Sequence, residues 1–241
     1  MSDRICLVVP CFNEKSRLAV DTFKNAASED LHFLFVDDGS RDGTANYLRT
    51  QFEGISSIHV FALQKNAGKA EAVRRGMLEL LATGKLNNYA WVGFWDADLA
   101  TPLSELADMR RYHQHFYPTA IAVWGSRVYR LGSKIVRSPI RHYFGRFFAT
   151  AIAWLLGVES YDSQCGAKIF LSSSIGTAFR EPFISRWIFD VEILLRLRDF
   201  EIVEYPLKCW KDVPGSKFKI GREALRVFWA ILAIRKKYLK K

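Results

Sequence analysis

Leu31-His32-Phe33-Leu34-Phe35-Val36-Asp37-Asp38-Gly39-Ser40-Arg41-Asp42-Gly43-Thr44 runs from a nearly unbroken apolar stretch into two carboxylates and then into glycine-rich turn chemistry. A short run rich in aromatic and β-branched residues and closed by turn formers reads as a strand buried on both faces. Its terminal acids then fall at the carboxyl edge of a sheet, where open α/β folds bind ligands. Upstream, Ile5 to Val9 is a second run of the same kind, ended by Pro10. Between the two, Ala19, Phe23 and Ala26 recur at helical spacing, which predicts a helix beginning at Asn13-Glu14. Strand, helix, strand implies a parallel pair joined by a right-handed crossover.

The same alternation continues downstream. A helix is expected from Thr44 to about Phe52, a third strand over Ile58 to Leu63, and a helix from the Gly68-Lys69-Ala70 turn through Leu81. Gly68 permits close backbone approach, and Lys69 near the helix start is either a phosphate contact at the positive end of the helix dipole or a solvated surface lysine. The GxxxxGK[ST] spacing of a P-loop is absent. Ala90 to Trp95 is another buried strand and stops at Asp96-Ala97-Asp98, after which Thr101-Pro102 predicts a helix start. Asp96 and Asp98 are either turn formers or ligands. Hard divalent cations such as Mg²⁺ or Mn²⁺ take oxygen donors and keep positions open for substrate phosphate, which a carboxylate pair at a strand end would suit.

Ala120 to Gly125 reads as a further strand, leading to Ser126-Arg127. Beyond it the character of the chain changes. Arg127, Arg130, Lys134, Arg137, Arg141 and Arg146 occur without an intervening acid, among Tyr129, Tyr143, Phe144, Phe147 and Phe148. Over 128–158 this predicts a basic, aromatic amphipathic helix, lying on an anionic bilayer or packed on the sheet. Next come Asp162-Ser-Gln164-Cys-Gly-Ala-Lys168 with a short strand, and Arg186-Trp187-Ile-Phe-Asp190-Val-Glu192 opening a helix. Asp190 shares its face with Ile193, Leu194 and Leu197, so it needs a partner or a function; Glu192, four residues before Arg196, reads as a surface ion pair. A last strand is expected over Ile202 to Leu207, then a loop from Trp210 to Ile220 carrying Gly215-Ser216-Lys217. The tail, 221–241, is a basic amphipathic helix that either lies on a membrane or covers the sheet.

Composition sets the outer bounds. The 241 residues are 49% hydrophobic with net charge +10, enough apolar material for a real core and a bias towards an anionic partner. Nothing reaches the roughly 18 consecutive apolar residues of a membrane span. Cys6, Cys11, Cys165 and Cys209 form no CxxC pair and suit a reducing cytosol, and the N-terminus lacks a signal-type apolar run. No repeat or low-complexity linker interrupts the chain.

Val8-Val-Pro-Cys-Phe-Asn-Glu14, Phe35-Val-Asp-Asp-Gly-Ser-Arg-Asp-Gly-Thr44, Asn66-Ala-Gly-Lys69 and Asp96-Ala-Asp98, in this order, resemble the family 2 glycosyltransferases of GT-A fold. The Asp162–Lys168 and Arg186–Glu192 segments, with Trp210 and Gly215-Ser-Lys217, resemble its dolichyl-phosphate glucose synthase and bacterial polyprenyl-phosphate glycosyltransferase branch. The resemblance implies a Rossmann-like α/β fold with a mixed, mainly parallel sheet flanked by helices, amphipathic helices facing the membrane, and one catalytic domain over 1–220. It implies that Pro10, Phe12, Glu14, Val36 and Asp38 line the nucleotide pocket, Val36 and Asp38 at the base. Asp96, Ala97 and Asp98 would meet the diphosphate, the two aspartates holding Mg²⁺ or Mn²⁺. Lys69 and Arg127 become donor-side contacts, Gln164, Arg186 and Trp187 face sugar and acceptor, and Lys217 closes over the diphosphate.

The implied reaction is inverting transfer of a hexose, with UDP-glucose the first donor to expect, onto a polyprenyl or dolichyl phosphate at the cytoplasmic face of a membrane. Asp98, Asp190 and Asp162 are the catalytic candidates. A phosphate acceptor is already anionic at neutral pH, whereas a glycan hydroxyl, the alternative acceptor, would need a carboxylate base: Asp190 first, Asp162 second. A nucleotidyltransferase is disfavoured by the missing glycine-rich activation loop near the first strand. A nucleic-acid partner is not expected, since the basic residues cluster with aromatics in one amphipathic region.

Overall fold

The computed structural model describes residues 3–137, 149–213 and 220–239. Its strands are β1 (Ile5–Cys11), β2 (Leu31–Asp37), β3 (Ile58–Ala62), β4 (Trp91–Trp95), β5 (Ala122–Ser126), β6 (Lys134–Val136), β7 (Ala167–Leu171), β8 (Ile202–Pro206) and β9 (Cys209–Lys211). Its α-helices are α1 (Val20–Ala26), α2 (Thr44–Gln51), α3 (Lys69–Ala82), α4 (Glu105–Phe116), α5 (149–156), α6 (Ile175–Phe179), α7 (Phe189–Arg196) and α8 (Ile220–Tyr238). This is an α/β fold with a mixed, mainly parallel sheet flanked by helices. The chain divides into two compact units, one of Met1–Leu99 with Gly166–Pro182 and the other of Ala100–Cys165 with Phe183–Lys241.

In the first unit the strands run in the order β3-β2-β1-β4-β7. The first four are parallel, and β7 alone is antiparallel, on β4. The register sets Ile5 beside Leu31 and Cys11 beside Asp37, so the chain leaves β1 and β2 at one edge, next to the acids that follow. Phe23 of α1 closes the sheet's face with edge-on contacts to Phe33 and Phe35. All three are wholly buried, each contributing about 1.5–3 kcal/mol of transfer free energy. On α3, Gly76 lets helix and sheet approach: a Cβ there would meet Val8 Cγ1 at 2.5 Å.

The second unit contains two parallel pairs, β5 with β8 and β6 with β9. One helical core is shared by Ile152 and Leu156 of α5, Val191 and Leu195 of α7, and Val227, Ile231 and Ile234 of α8. The tail, expected as a separate helix from 221, therefore packs its inner face on α5 and α7. Its outer face leaves Phe228 and Trp229 at 50% and 66% exposure, with Arg235, Lys236 and Lys237 in the last turn.

Four local expectations are corrected. The first helix starts at Val20, not Asn13, because Asn13 takes a left-handed φ of 56° and residues 14–18 form a turn in which Arg17 and Leu18 donate to the Glu14 carbonyl. The helix expected at Thr101-Pro102 starts at Glu105, after i to i+3 turn bonds from Glu105 to Pro102 and Leu106 to Leu103. The basic run is not helical throughout: Lys134–Val136 is strand β6, paired with β9, and among the described residues the helical part is α5, over 149–156. Arg141, Tyr143, Phe144, Arg146, Phe147 and Phe148 lie outside the described residues. Glu192, read as a surface partner of Arg196, is wholly buried. Its carboxylate accepts the backbone N–H groups of Ile184 (2.9 Å) and Ser185 (3.0 Å), so burial here satisfies backbone donors that precede α7.

Candidate active site

The first unit carries the donor-side candidates other than Arg127 at the carboxyl edge of its sheet. The loops after β1 and β2 are stitched to each other by short polar side chains. The Asn13 N–H donates to Ser40 Oγ at 2.8 Å, Glu14 N–H to Thr44 Oγ1 at 3.0 Å, and Arg41 N–H to Asn13 Oδ1 at 3.0 Å. These bonds explain why the chain stays non-helical after Cys11, and they fix Phe12 and Glu14 against the β2 edge. Glu14 is buried and forms a bidentate pair with Arg17. The Arg17 guanidinium is held above its ordinary pKa by that hydrogen bond, and the Asp98 carboxylate adds to the effect despite partial burial. Arg17 is thus a cation in the field of the Asp96-Ala97-Asp98 turn that sequence reading missed. The available signal was its i+3 spacing from Glu14.

Asp38 is a hub. Its carboxylate accepts from Ala67 N–H at 2.7 Å, Gly68 N–H at 2.8 Å and Asn66 Nδ2 at 2.8 Å, so it shapes the turn leading into α3. Gly68 there has φ of 95°, a conformation that needs glycine. Val36 is wholly buried and faces Gly76. Asp37 is 3% exposed, and its Oδ1 is among the described buried oxygens that lack a hydrogen-bond partner.

Lys69, at the positive end of α3, reaches across to Asp96, with Nζ 2.5 Å from Oδ1. Asp96 is fixed from the other side by the residue just before β7: its N–H donates to the Gly166 carbonyl at 2.9 Å. A Cβ on Gly166 would lie 1.9 Å from Asp96 Oδ2, so that carboxylate fills the space a side chain would need. Ala97 is buried, Asp98 partly exposed, and Leu99 turns the chain away with a left-handed φ of 52°. Asn13 and Leu99 are the non-glycine residues with positive φ among those described, and both lie at this edge. Sparsely populated backbone of this kind concentrates at functional sites.

The donor set fits a hard divalent cation. Two carboxylates one residue apart, one already balanced by a lysine ammonium, match the way Mg²⁺ is held by one or two carboxylates with the remaining positions left to water and phosphate. Among the described residues no group of three or more His, Cys, Asp or Glu side chains is placed to enclose a metal.

The second unit holds the other candidates. Arg127, at the end of β5, donates through Nε and Nη2 to Asp162 at 2.5 and 2.7 Å and through its backbone N–H at 3.0 Å. Asp162 is positioned in turn by Glu204 of β8, which accepts from Asp162 N–H at 2.9 Å. The Arg127 guanidinium also lies 5.3 Å from the centre of the Trp210 ring. Asp162 is therefore engaged in orienting Arg127. Gln164 Nε2 and Ser126 Oγ are buried without hydrogen-bond partners, and such orphans mark places where a ligand or water completes the bonding. Asp190 is 5% exposed in the first turn of α7, while Arg186 and Trp187 project from the turn before it. Lys217 lies outside the described residues.

A parallel α/β sheet bearing an Asp-x-Asp turn, a lysine and a stitched pair of loops at one edge defines a GT-A glycosyltransferase architecture. A model of glycosyl transferase family 2 matches residues 6–175, and the chain belongs to that family. Curated relatives to which it is similar include dolichyl-phosphate beta-glucosyltransferases. The chain is 32% identical to a dolichyl-phosphate beta-glucosyltransferase of Trichomonas vaginalis over 89% of its own length and 66% of the relative's. It is 29% identical to the enzyme of that description from Saccharomyces cerevisiae (98% of this chain, 75% of the relative) and 29% identical to the one from Homo sapiens (98% and 76%). The chain thus spans about two-thirds to three-quarters of these relatives. Among solved structures, glucosyl-3-phosphoglycerate synthase from Mycobacterium tuberculosis, in complex with Mn²⁺, UDP and its product, superposes with a TM-score of 0.65 at 16% identity over 96% of this chain and 80% of that one. Family membership takes the place of the nucleotidyltransferase reading.

Proposed function

We propose that this chain is an inverting glucosyltransferase that moves glucose from UDP-glucose to a dolichyl or other polyprenyl phosphate at the cytoplasmic surface of a membrane. The observation that carries the reading is the Asp96–Lys69 pair beside Asp98, set at the sheet edge that Asp38 and Glu14 also shape. The names of the curated relatives support the acceptor and the sugar; the UDP and Mn²⁺ bound by a protein of the same fold support the donor and the cation.

A Mg²⁺ or Mn²⁺ ion held by Asp96 and Asp98 would neutralise charge on the leaving diphosphate. Lys69 can exchange its carboxylate partner for a donor phosphate oxygen, drawing on the positive end of α3. Arg17, paired bidentately with Glu14, neutralises that carboxylate so that this edge does not present it to the diphosphate as an unpaired anion. Arg127, oriented by Asp162 and packed against the Trp210 ring, keeps a guanidinium cation at a fixed place in the second unit, the kind of group that recognises a phosphate. The acceptor phosphate attacks the anomeric carbon from the face opposite the departing UDP, which inverts configuration, and it needs no strong base because its second pKa is about 6.

Incubating the protein with UDP-glucose, Mn²⁺ and dolichyl phosphate should release UDP and form a glucolipid. Absence of turnover with every lipid phosphate tried would refute the reading. A second acceptor class, a glycan hydroxyl, is favoured by one observation: a buried carboxylate, Asp190, opens α7 and could take a proton. Asp190→Asn should then lower transfer to a hydroxyl by about 10²–10⁴-fold and leave transfer to a phosphate within a few-fold. Equal loss on both acceptors would remove any proton-accepting role for Asp190.

A further inference from the structure

The second unit contains a cavity of about 400 Å³, within the range of small-molecule pockets, whose α8 wall has no role in the reading so far. One wall is the turn before α7, with Ile184, Arg186 and Trp187; the other is α8, with Arg226, Val227 and Ala230. Two guanidinium groups and an otherwise largely apolar lining suit one kind of molecule: a phosphate monoester on a hydrocarbon chain. The walls are built rather than incidental. Buried Glu192 accepts the Ile184 and Ser185 N–H groups, and Ser185 Oγ accepts those of Trp187 (3.2 Å) and Ile188 (3.1 Å), which fixes the turn presenting Arg186. The far end of α8 is tied to the same system, with Arg196 Nε donating to Tyr238 Oη at 2.9 Å while Arg196 also faces Glu192. Along α8, Phe228 and Trp229 follow Arg226 on exposed positions, so the cavity opens beside an apolar, basic-ended helix surface.

We propose that this cavity receives the phosphate and first isoprene units of the lipid acceptor, and that Arg226 of α8 is a phosphate ligand together with Arg186. The inference rests on the glucosyltransferase reading and extends it. The C-terminal helix then forms part of the acceptor site itself, beyond any role in covering the core or touching a bilayer.

The test uses the full chain with UDP-glucose, Mn²⁺ and farnesyl phosphate in detergent micelles. Arg226→Gln should raise KM for farnesyl phosphate about tenfold or more while KM for UDP-glucose stays within twofold, and Arg226→Lys should recover part of the loss. Quenching of tryptophan fluorescence by farnesyl phosphate, titrated without UDP-glucose, should shift to higher concentration in the same order. An unchanged KM for farnesyl phosphate in a folded, active Arg226→Gln protein overturns the inference and leaves the function standing. So does a variant whose only defect is weaker binding to phosphatidylglycerol vesicles, which would assign the cavity to a bilayer headgroup. Absence of wild-type transfer to any lipid phosphate would instead overturn the proposed function, and this inference with it.

Discussion

Gly166 shows how a single position without a side chain can decide the chemistry of a distant one. The Asp96 carboxylate occupies the space its Cβ would need, with Oδ2 only 1.9 Å from that point, and the Gly166 carbonyl holds the Asp96 N–H. Gly166→Ala should push Asp96 off both its backbone anchor and Lys69. The expected result is a fall of about a hundredfold in kcat/KM for the sugar nucleotide, with a stability loss of about 1–3 kcal/mol, read by steady-state kinetics and denaturant titration. In the sequence Gly166 was only part of a polar stretch, because a close approach between strands far apart in the chain leaves no local signal. Asp96, Asp98 and Lys69 could be named as candidates from sequence, since Asp96 and Asp98 follow a plainly apolar strand and Lys69 opens a plainly periodic helix. Arg17 and Glu192 could not: one is read through an electrostatic neighbour, the other through backbone donors that only the folded turn creates.

At the scale of elements, α3 joins site to scaffold. Glu71 in its first turn binds Arg74 at 2.7 Å and Arg75 at 2.9 Å, and Arg74 also donates to the Arg180 carbonyl at 3.0 Å, fastening the helix beside α6. Burial tends to raise the Glu71 pKa, but the hydrogen bonds and charges of Arg74 and Arg75 outweigh it and hold the folded value below the ordinary 4.5. A carboxylate whose pKa is depressed on folding contributes stability above its unfolded value and loses it as pH falls through the folded one. Wild-type protein should therefore lose stability in that acidic window, and Glu71→Gln should show a shallower loss there with a lower plateau at neutral pH, by thermal melts across pH. Identical profiles would show that the network contributes nothing measurable. Most helices and strands were readable from periodicity; two errors fell at helix starts, and the short strands β6 and β9 were missed inside stretches expected as helix and loop. Asn13 and Thr101 look like helix openers but serve turns whose partners come from another part of the chain or from i to i+3 bonds.

For the molecule as a whole, charge and apolar surface point the same way. No helix among the described residues is long and apolar enough to cross a membrane. Trp154 of α5 is 84% exposed and Trp229 of α8 66%, and the last turn of α8 is basic. Such a surface suits the interface of an anionic bilayer, and its contribution should separate into an apolar and a salt-sensitive part. Co-sedimentation with phosphatidylglycerol vesicles is expected to fall on replacing Trp229 with Ser, and further as salt is raised; binding indifferent to both would argue against docking through α8. The tail's two readings, membrane or core, were alternatives in sequence because amphipathicity alone does not say which face is covered. The structure covers one face with α5 and α7 and leaves the other open.

The Lys69–Asp96 pair has one more consequence, for how the protein waits between turnovers. A cation site made of carboxylates alone would repel itself when empty and would tie folding to divalent-ion supply. Here a tethered ammonium occupies the counter-charge position. The resting protein should therefore keep its melting temperature within about 2 °C when EDTA is added, since a surface pair of this kind is worth at most about 1 kcal/mol. Lys69→Met should make the melt newly responsive to Mg²⁺. A large EDTA effect on the wild type would mean that the ion, and not the lysine, keeps this edge of the sheet in order. In the expected case the enzyme is a metal-independent fold with a metal-dependent reaction, able to persist intact through magnesium shortage and resume work when the nucleotide brings its ion along.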